Sequence, residues 1–373
     1  MRPARFERRL RALWCAVGFS IALVAAASGS ADDSAPFPPV LPAVPLQFPR
    51  DHGSHSAFRI EWWYVTGWLR THGQSEALGF QITLFRVRPQ IDARNPSLFT
   101  PRQILLGHCA IADPAHGRLR QAQRIERAAL ALAGADSGDL RVWMEHWLLV
   151  REPGASDRFR VQVSTDECGL DLTLSATAPP LPNGAAGYSR KGPAAESASE
   201  YYSEPHLSVS GSVQRAGQRD EVTGEAWLDH EWASEYLDPN AVGWDWVGLN
   251  LDDGAALMAF VIRDRQGHRY WASATLRQRD GQVQVFEPDE VDFEPQRRWR
   301  SPRSGVLYPV GQRLRVGSLT LELEPLLDDQ EFDARATAGA LYWEGAVTAG
   351  SAGPMRGRGY MELTGYESPL QLP

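Results

Sequence analysis

The chain has no Gly-x-Ser-x-Gly elbow, so the usual serine-hydrolase nucleophile is missing. It also has no phosphate loop and no dinucleotide fingerprint, which removes the common nucleotide-dependent chemistries. Cysteine is scarce, with three residues in 373, namely Cys15, Cys109 and Cys168. Basic charge is in deficit, and the formal net charge is −8. An acidic surface argues against nucleic acid as a partner and against adhesion to anionic headgroups. Beyond the first 31 residues no apolar run is long enough to span a bilayer. Long amphipathic helical patterns are also rare, and Leu119 to Leu132 is the best candidate for one.

The N-terminus reads as a secretory signal peptide over residues 1–31. Arg2, Arg5, Arg8, Arg9 and Arg11 form a basic region, Leu13 to Ala27 is a short apolar run, and small residues follow. Its loss would remove five arginines and one glutamate and leave a more acidic chain. A periplasmic or secreted location is therefore expected. In an oxidising compartment Cys109 and Cys168 could pair, or they could stay as two buried thiols. Residues 32–45 are rich in proline and alanine and read as an extended leader.

From Phe48 the pattern is short runs of aromatic and β-branched residues separated by Gly, Asp and Pro, as in Ile60 to Leu69 and Ala77 to Val87. This is the all-β pattern. An internal repeat organises it. Trp63 to Leu69 leads through a turn at His72-Gly73 to Leu78 to Ile82, and Trp244 to Leu251 leads through Asp253-Gly254 to Leu257 to Ile262. The segments ending at His230 and at Leu363 match in the same way. Two tandem lipocalin-like antiparallel β-barrels are expected, over 46–232 and 240–370. Such barrels remove their sheet edges by closure and can enclose a small ligand. The long segment Pro179 to Ser199 reads by composition as a mobile insertion rather than a binding loop.

Tryptophan is abundant, with 13 residues. Trp62, Trp63, Tyr64, Trp227, Trp232, Trp244 and Trp246 are candidate walls of an apolar pocket, with core packing as the alternative. In Trp227-Leu-Asp229-His230-Glu231-Trp232 the strand period puts Asp229 and Glu231 on one face and His230 and Trp232 on the other. One of those faces is expected to point into the lumen. A carboxyl desolvated there would have a raised pKa suited to a general acid. The second repeat carries Glu362 at the place of Asp229 but lacks the following His and Glu, which points to the first barrel or the cleft between barrels. Glu61, beside three aromatics, is the next candidate, with a structural ion pair as the alternative. His108 reads as a satisfied core histidine. Asp51, His52 and His55 with Asp229 and His230 contain zinc-ligand types, but loop histidines at a strand start are common and no metal site is expected.

Phe48-Pro-Arg-Asp51-His52-Gly53, Glu61-Trp-Trp-Tyr-Val-Thr-Gly67, Tyr188-Ser-Arg-Lys-Gly192, Trp227 to Trp232 and Gly243-Trp-Asp-Trp246 resemble the AttH and carotenoid 1,2-hydratase (hydroxyneurosporene synthase) family of secreted proteins. The resemblance spans nearly all of the chain after the signal peptide. It implies two lipocalin-like domains. For hydratase members it implies addition of water to the terminal double bond of an acyclic carotenoid, without a redox cofactor. Carried over, Asp229 would be the acid, His230 would orient or relay a proton to water, and Trp63, Tyr64 and Trp232 would face the chain. One departure stands out. Hydratase members place tyrosine and aspartate on the strand after Gly-Trp-Asp-Trp, whereas Ala255 to Ile262 is wholly apolar here. Three functions follow as expectations: an enzyme, hydratase or secreted hydrolase, acting on an isoprenoid or other apolar small molecule; a non-catalytic periplasmic carrier or sensor of such a ligand; or a surface-attachment or envelope-assembly factor in peripheral contact with membrane or an envelope protein. Fold alone does not choose among them.

Overall fold

The computed structural model describes residues 37–71, 77–91, 97, 99–154, 157–351, 353 and 356–371. The segment read as a signal peptide and the expected His72-Gly73 turn lie outside the described residues. Among those described, the only helices are two single 3-10 turns, at Arg50–His52 and Pro288–Glu290. All other regular structure is β.

The first half of the chain forms β1 (Ile60–Thr71), β2 (Ala77–Val87), β3 (Ile104–Asp113), β4 (Arg118–Arg127), β5 (Ala133–Ala135), β6 (Arg141–Met144), β7 (Trp147–Arg151), β8 (Arg158–Val163), β9 (Gly169–Ser175), β10 (Leu181–Pro182), β11 (Tyr188–Arg190), β12 (Ala198–Arg215) and β13 (Gln218–Ala233). The second half forms β14 (Ala241–Leu251), β15 (Ala256–Asp264), β16 (Arg269–Arg277), β17 (Val283–Phe286), β18 (Val291–Arg300), β19 (Leu307–Val316), β20 (Leu319–Pro325), β21 (Glu331–Asp333), β22 (Leu341–Gly350) and β23 (Arg356–Leu363). The first set makes one 13-stranded antiparallel sheet, curled into a nearly closed barrel, and the second makes a 10-stranded half-barrel. The fold is all-β and lipocalin-like in both halves.

The sequence repeat is present in the topology. In the first sheet the central order is β2-β1-β13-β12, and in the second it is β15-β14-β23-β22. Asp229 pairs with Tyr64 and Glu362 pairs with Trp246, so these two carboxyls are structural counterparts. The repeated glycine has a packing reason in the second unit. A Cβ on Gly248 would lie 2.8 Å from the Trp246 ring and 3.0 Å from the Trp227 ring.

Three expectations need correction. Leu119 to Leu132 is not a helix. Most of it is β4, an edge strand paired with β3, followed by a turn with left-handed residues at Leu130 and Ala131. Long Arg, Gln and Glu side chains suit an exposed edge strand, and only Leu119 is buried, against Ala110 and Phe332. Pro179 to Ser199 is not an unattached insertion. β10 and β11 both pair with β12, and Lys191, just after β11, is buried.

The third correction concerns the lumen. The first barrel is packed solid by Trp63, Phe80, Trp147, Phe159 and many Leu and Val side chains, which leaves its interior to side chains rather than ligand. The half-barrel has its own filled core around Trp343 and Tyr308. A third apolar cluster lies between the two sheets, where Tyr64, Trp227 and Trp246 meet Met258, Phe260 and Ile262. Cys109 on β3 and Cys168 before β9 form a disulfide with Cα atoms 6.3 Å apart. The leader's Val40 packs under Tyr188 and Ala198, so this part of the leader is tied to the barrel.

Candidate functional site

Side chains alternate along a strand, so β1 and β13 each present one face to the barrel core and the other to the half-barrel. Trp62 and Tyr64 on β1, with Asp229 and Glu231 on β13, face outward. There they meet Trp244, Trp246, Phe260, Glu344 and Glu362 of the half-barrel across a cavity of about 100 Å³. Ile60, Tyr236, Leu370 and Gln371 lie at one end of it. The cavity walls are mainly apolar and aromatic, with a few convergent polar groups, as expected of a small-molecule site.

Asp229 is 2 % exposed. Its Oδ2 accepts from the Tyr201 hydroxyl at 2.7 Å, and its Oδ1 accepts from Ser203 Oγ at 2.6 Å and Trp227 Nε1 at 2.7 Å. Burial nonetheless dominates these three donors and pushes the carboxyl up to about 7. Two residues along, Glu231 accepts from Lys191 Nζ at 2.7 Å and from Ser199. Burial raises its pKa against the pull of Lys191. Lys191 is also wholly enclosed, and burial lowers its pKa. Its ammonium lies 4.4 Å from the Phe260 ring centre and 4.9 Å from that of Tyr201, so aromatic faces share its charge with Glu231.

The opposite wall carries a second pair of acids. Glu344 on β22 and Glu362 on β23 are directly paired across the sheet. Glu362 accepts from Trp244 Nε1 at 2.8 Å, and burial lifts it to about 7. Glu344 accepts from Gln81 Nε2 at 3.1 Å. Burial, with the neighbouring Glu362 charge, holds it well above the usual carboxylate range. The pocket therefore holds four carboxyls and one cation in an aromatic shell, and at neutral pH part of the acid is protonated. That arrangement can deliver and accept protons next to an apolar substrate.

Glu61 and His230 sit on the other side of the sheet. Their side chains point into the end of the first barrel, under the loop that carries Asp51, His52 and His55. Glu61 is fully buried. It accepts from Arg86 Nε at 2.6 Å, Ser54 Oγ at 2.9 Å and the His55 backbone N–H at 2.9 Å, and His55 Nδ1 and His230 Nε2 lie 2.9 and 3.0 Å away. Burial would raise its pKa, but Arg86, His230 and His55 together hold it well below the ordinary value. It is an anchoring carboxylate, ionised and saturated. Trp63 stacks on His230 at 4.6 Å, and Trp232 stacks on His55 at 3.6 Å.

The candidates thus divide. Asp229, Trp62, Tyr64, Trp244 and Trp246 line the pocket, and Trp227 supports it by donating to Asp229. His230, Glu61, Trp63 and Trp232 do not reach it. An acid–histidine partnership of Asp229 with His230 is ruled out by the strand period, because adjacent residues point to opposite faces. The zinc-ligand types are split in the same way. His55, Glu61 and His230 bring ligand atoms within 4.8 Å of one another. Asp229 is on the far face, His52 bonds the Tyr202 hydroxyl, and both Glu61 oxygens are already taken by Arg86, Ser54 and His55. The donor set fits an ion-pair network better than a metal.

Sequence reasoning left out Lys191, Tyr201, Tyr236 and Glu344. Lys191 stood inside the Tyr-Ser-Arg-Lys-Gly segment, and the available signal was that it is the only lysine in the sequence. Glu344 carried no local signal, since it enters the site only through sheet pairing.

A model of the AttH-like family matches residues 39–366. Among solved structures, an AttH protein from Nitrosomonas europaea superposes with a TM-score of 0.82 at 50% identity, over 88% of this chain and 99% of its own. Kievitone hydratase from Nectria haematococca has a TM-score of 0.66 at 17% identity, over 89% of this chain and 98% of its own. CghA has a TM-score of 0.52 at 12% identity, over 91% and 98% respectively. The last two share the fold. No curated protein matches in sequence. With the family pattern running through both sheets and through every strand that lines the pocket, the chain belongs to the AttH-like family.

Proposed function

We propose that this protein adds water to a carbon–carbon double bond of a predominantly apolar small molecule, with Asp229 as the acid in the pocket between the barrels. The observation that carries this reading is the buried Asp229 carboxyl, raised to about 7, held by Tyr201, Ser203 and Trp227 and lining an aromatic cavity. Asp229 gives its proton to one alkene carbon, and a cation forms at the other. Trp62, Tyr64, Trp244 and Trp246 face that position and stabilise positive charge. Water adds to the cation and loses one proton to the Asp229 carboxylate, so the acid is restored. The Glu231–Lys191 pair lines the same cavity. A cavity of about 100 Å³ accepts the reacting end of an isoprenoid or lipid chain, with the rest directed outward past Ile60 and Leu370. The reading is supported by the sequence resemblance to carotenoid hydratases and by a fold neighbour that is a kievitone hydratase. The same fold has also been seen with an organic ligand, Sch210972, in CghA.

A carrier would have to use the same pocket, because the first barrel's lumen is filled. Export is part of the proposal, supported by the signal-peptide pattern and by the Cys109–Cys168 disulfide.

The test uses protein recovered from an oxidising compartment, incubated with an acyclic carotenoid in water labelled with heavy oxygen. Wild type is expected to place the label in a new hydroxyl, and Asp229→Asn to place none. The wild-type rate should fall as pH rises through about 7, since the acid must be protonated. Equal labelling by Asp229→Asn would overturn the role of Asp229. Carotenoid that co-purifies and never turns over would replace the enzyme with a carrier.

A further inference from the structure

The second acid wall has a feature that hydration through Asp229 does not use. Glu344 is wholly buried, and its Oε1 has no hydrogen-bond partner, while its Oε2 is held by Gln81. The Tyr64 hydroxyl, also buried, faces the Glu344 carboxyl closely enough to act on it but falls short of hydrogen-bonding distance and angle. Tyr342, close enough to act on the Glu344 carboxyl, faces the same space. Buried polar atoms of this kind are destabilising unless something joins them, and a water or substrate hydroxyl between Glu344, Tyr64 and Tyr342 would do so.

A polar file begins at Tyr342 and leaves the pocket. The Tyr342 hydroxyl is 2.7 Å from His108 Nδ1, His108 Nε2 is 2.8 Å from Thr337 Oγ1, and Thr337 Oγ1 is 2.8 Å from Gln123 Oε1. Thr337 and Gln123 are both half-buried, so the file ends at the protein surface. Around it the surroundings are apolar. His108 packs 5.2 Å from Phe85 and 5.0 Å from Phe332, ring centre to ring centre. Burial lowers its pKa to about 3, which keeps the ring neutral, with one donor and one acceptor nitrogen. Every member from Tyr342 to Thr337 can therefore donate on one side and accept on the other.

We propose that Glu344 is the second proton-handling group of the pocket and exchanges its proton with solvent through Tyr342, His108 and Thr337. The catalytic meaning of this rests on the hydration reading above. The exchange itself does not. In the outward step the Glu344 carboxyl gives its proton to the Tyr342 oxygen. Tyr342 gives its own to His108 Nδ1, His108 Nε2 gives its own to Thr337 Oγ1, and Thr337 releases one to solvent. One proton leaves, Glu344 is left as carboxylate, and the histidine proton now sits on Nδ1. Every hydrogen bond then points inward, so the same file returns a proton to Glu344. The outcome is a site that can reset its acid inventory while the mouth near Leu370 is covered by substrate.

Infrared spectroscopy of the intact protein tests this without a substrate. A protonated buried carboxyl has a carbonyl stretch separate from the amide band, and it shifts on transfer to heavy water. Wild type should show such a band, Glu344→Gln should lose one component, and the shift of that component should be fast. In Thr337→Val, which alters only the half-buried end, and in His108→Phe, which keeps an aromatic ring, the shift should slow by about tenfold or more, because exchange is then left with the narrow pocket mouth and local opening of the sheets. Circular dichroism checks that both variants fold. A shift equally fast in both folded variants overturns the file, and an unchanged band in Glu344→Gln overturns Glu344 as the proton holder. Neither result touches Asp229, whose role is read separately by label incorporation.

Discussion

Replacing Asp229 with asparagine should make the protein more stable at pH 8 while removing its proposed acid. Burial pushes the native carboxyl up to about 7, against 3.8 for an aspartate in water. Between those values the folded state holds a proton that the unfolded chain has released. Stability therefore falls as pH rises through that window and is level above it. At about 1.4 kcal/mol per unit, a shift of about three units amounts to about 4 kcal/mol. The neighbouring Glu231 charge shares in the titration, so about 2–4 kcal/mol is the expected range. Asparagine does not ionise and removes this penalty. Its amide keeps the acceptor for Ser203 and Trp227 but turns a donor toward Tyr201, whose oxygen already accepts from Trp246 Nε1 at 3.0 Å. The displaced Tyr201 proton offsets about 1 kcal/mol. The variant should thus be level with or slightly less stable than wild type near pH 4, and more stable by about 1–3 kcal/mol at pH 8. Urea unfolding followed by tryptophan fluorescence at pH 4, 5, 6, 7 and 8 measures this. A stability difference that stays flat across those pH values would refute the reasoning, since it would mean that Asp229 is not desolvated.

Glu61→Gln should behave in the opposite sense. It leaves Arg86 buried without its partner, and should cost about 3–5 kcal/mol in urea. Because folding depresses the Glu61 pKa below 4.5, wild type keeps this contribution above pH 4.5 and loses it on further acidification, so the two proteins should converge in acid. Lys191→Met should destabilise less in a Glu231→Gln background than alone, with a coupling of about 1–3 kcal/mol in a double-mutant cycle, and additive effects would disprove the pair. Replacing Cys109 and Cys168 by serine opens a loop with a sequence separation of 59, and should lower stability by about 4 kcal/mol. An unchanged unfolding midpoint would mean that the unfolded chain is not constrained by the bridge.

Much of the fold was legible along the chain because period-two alternation and Gly-Asp turns are local properties. The repeat was legible for the same reason, since each unit rebuilds the same strand pairs. Leu119 to Leu132 misled because its long polar side chains suit a helix or an edge strand equally, and only the neighbour at β3 decides. The tryptophans misled in part. Aromatics fill both faces of β1, so composition gave no sign of which face meets the core. Aligning the repeats on Gly67 and Gly248 also equates Trp63 with Trp244, yet the strand pairing is offset by one residue. That offset turns Trp63 into the barrel and Trp244 into the pocket.

The residue alternation in Trp227 to Trp232 was enough to establish that Asp229 and Glu231 share one face and His230 and Trp232 the other. Chain order alone also determined the all-β class, the doubled architecture and the aromatic character of the site. What tertiary structure decided is where those faces look. The first barrel fills its own interior, so the outward face of β1 and β13 becomes a wall of the interbarrel cavity, and the inward face becomes an anchoring network around Glu61. It also decided which distant residues complete the site, bringing Lys191 in from a loop and Glu344, Tyr342 and His108 from strands far apart in sequence. Desolvation raises an acid or quiets a histidine only when two sheets close over it, and that closure is a property of the assembled structure rather than of any segment.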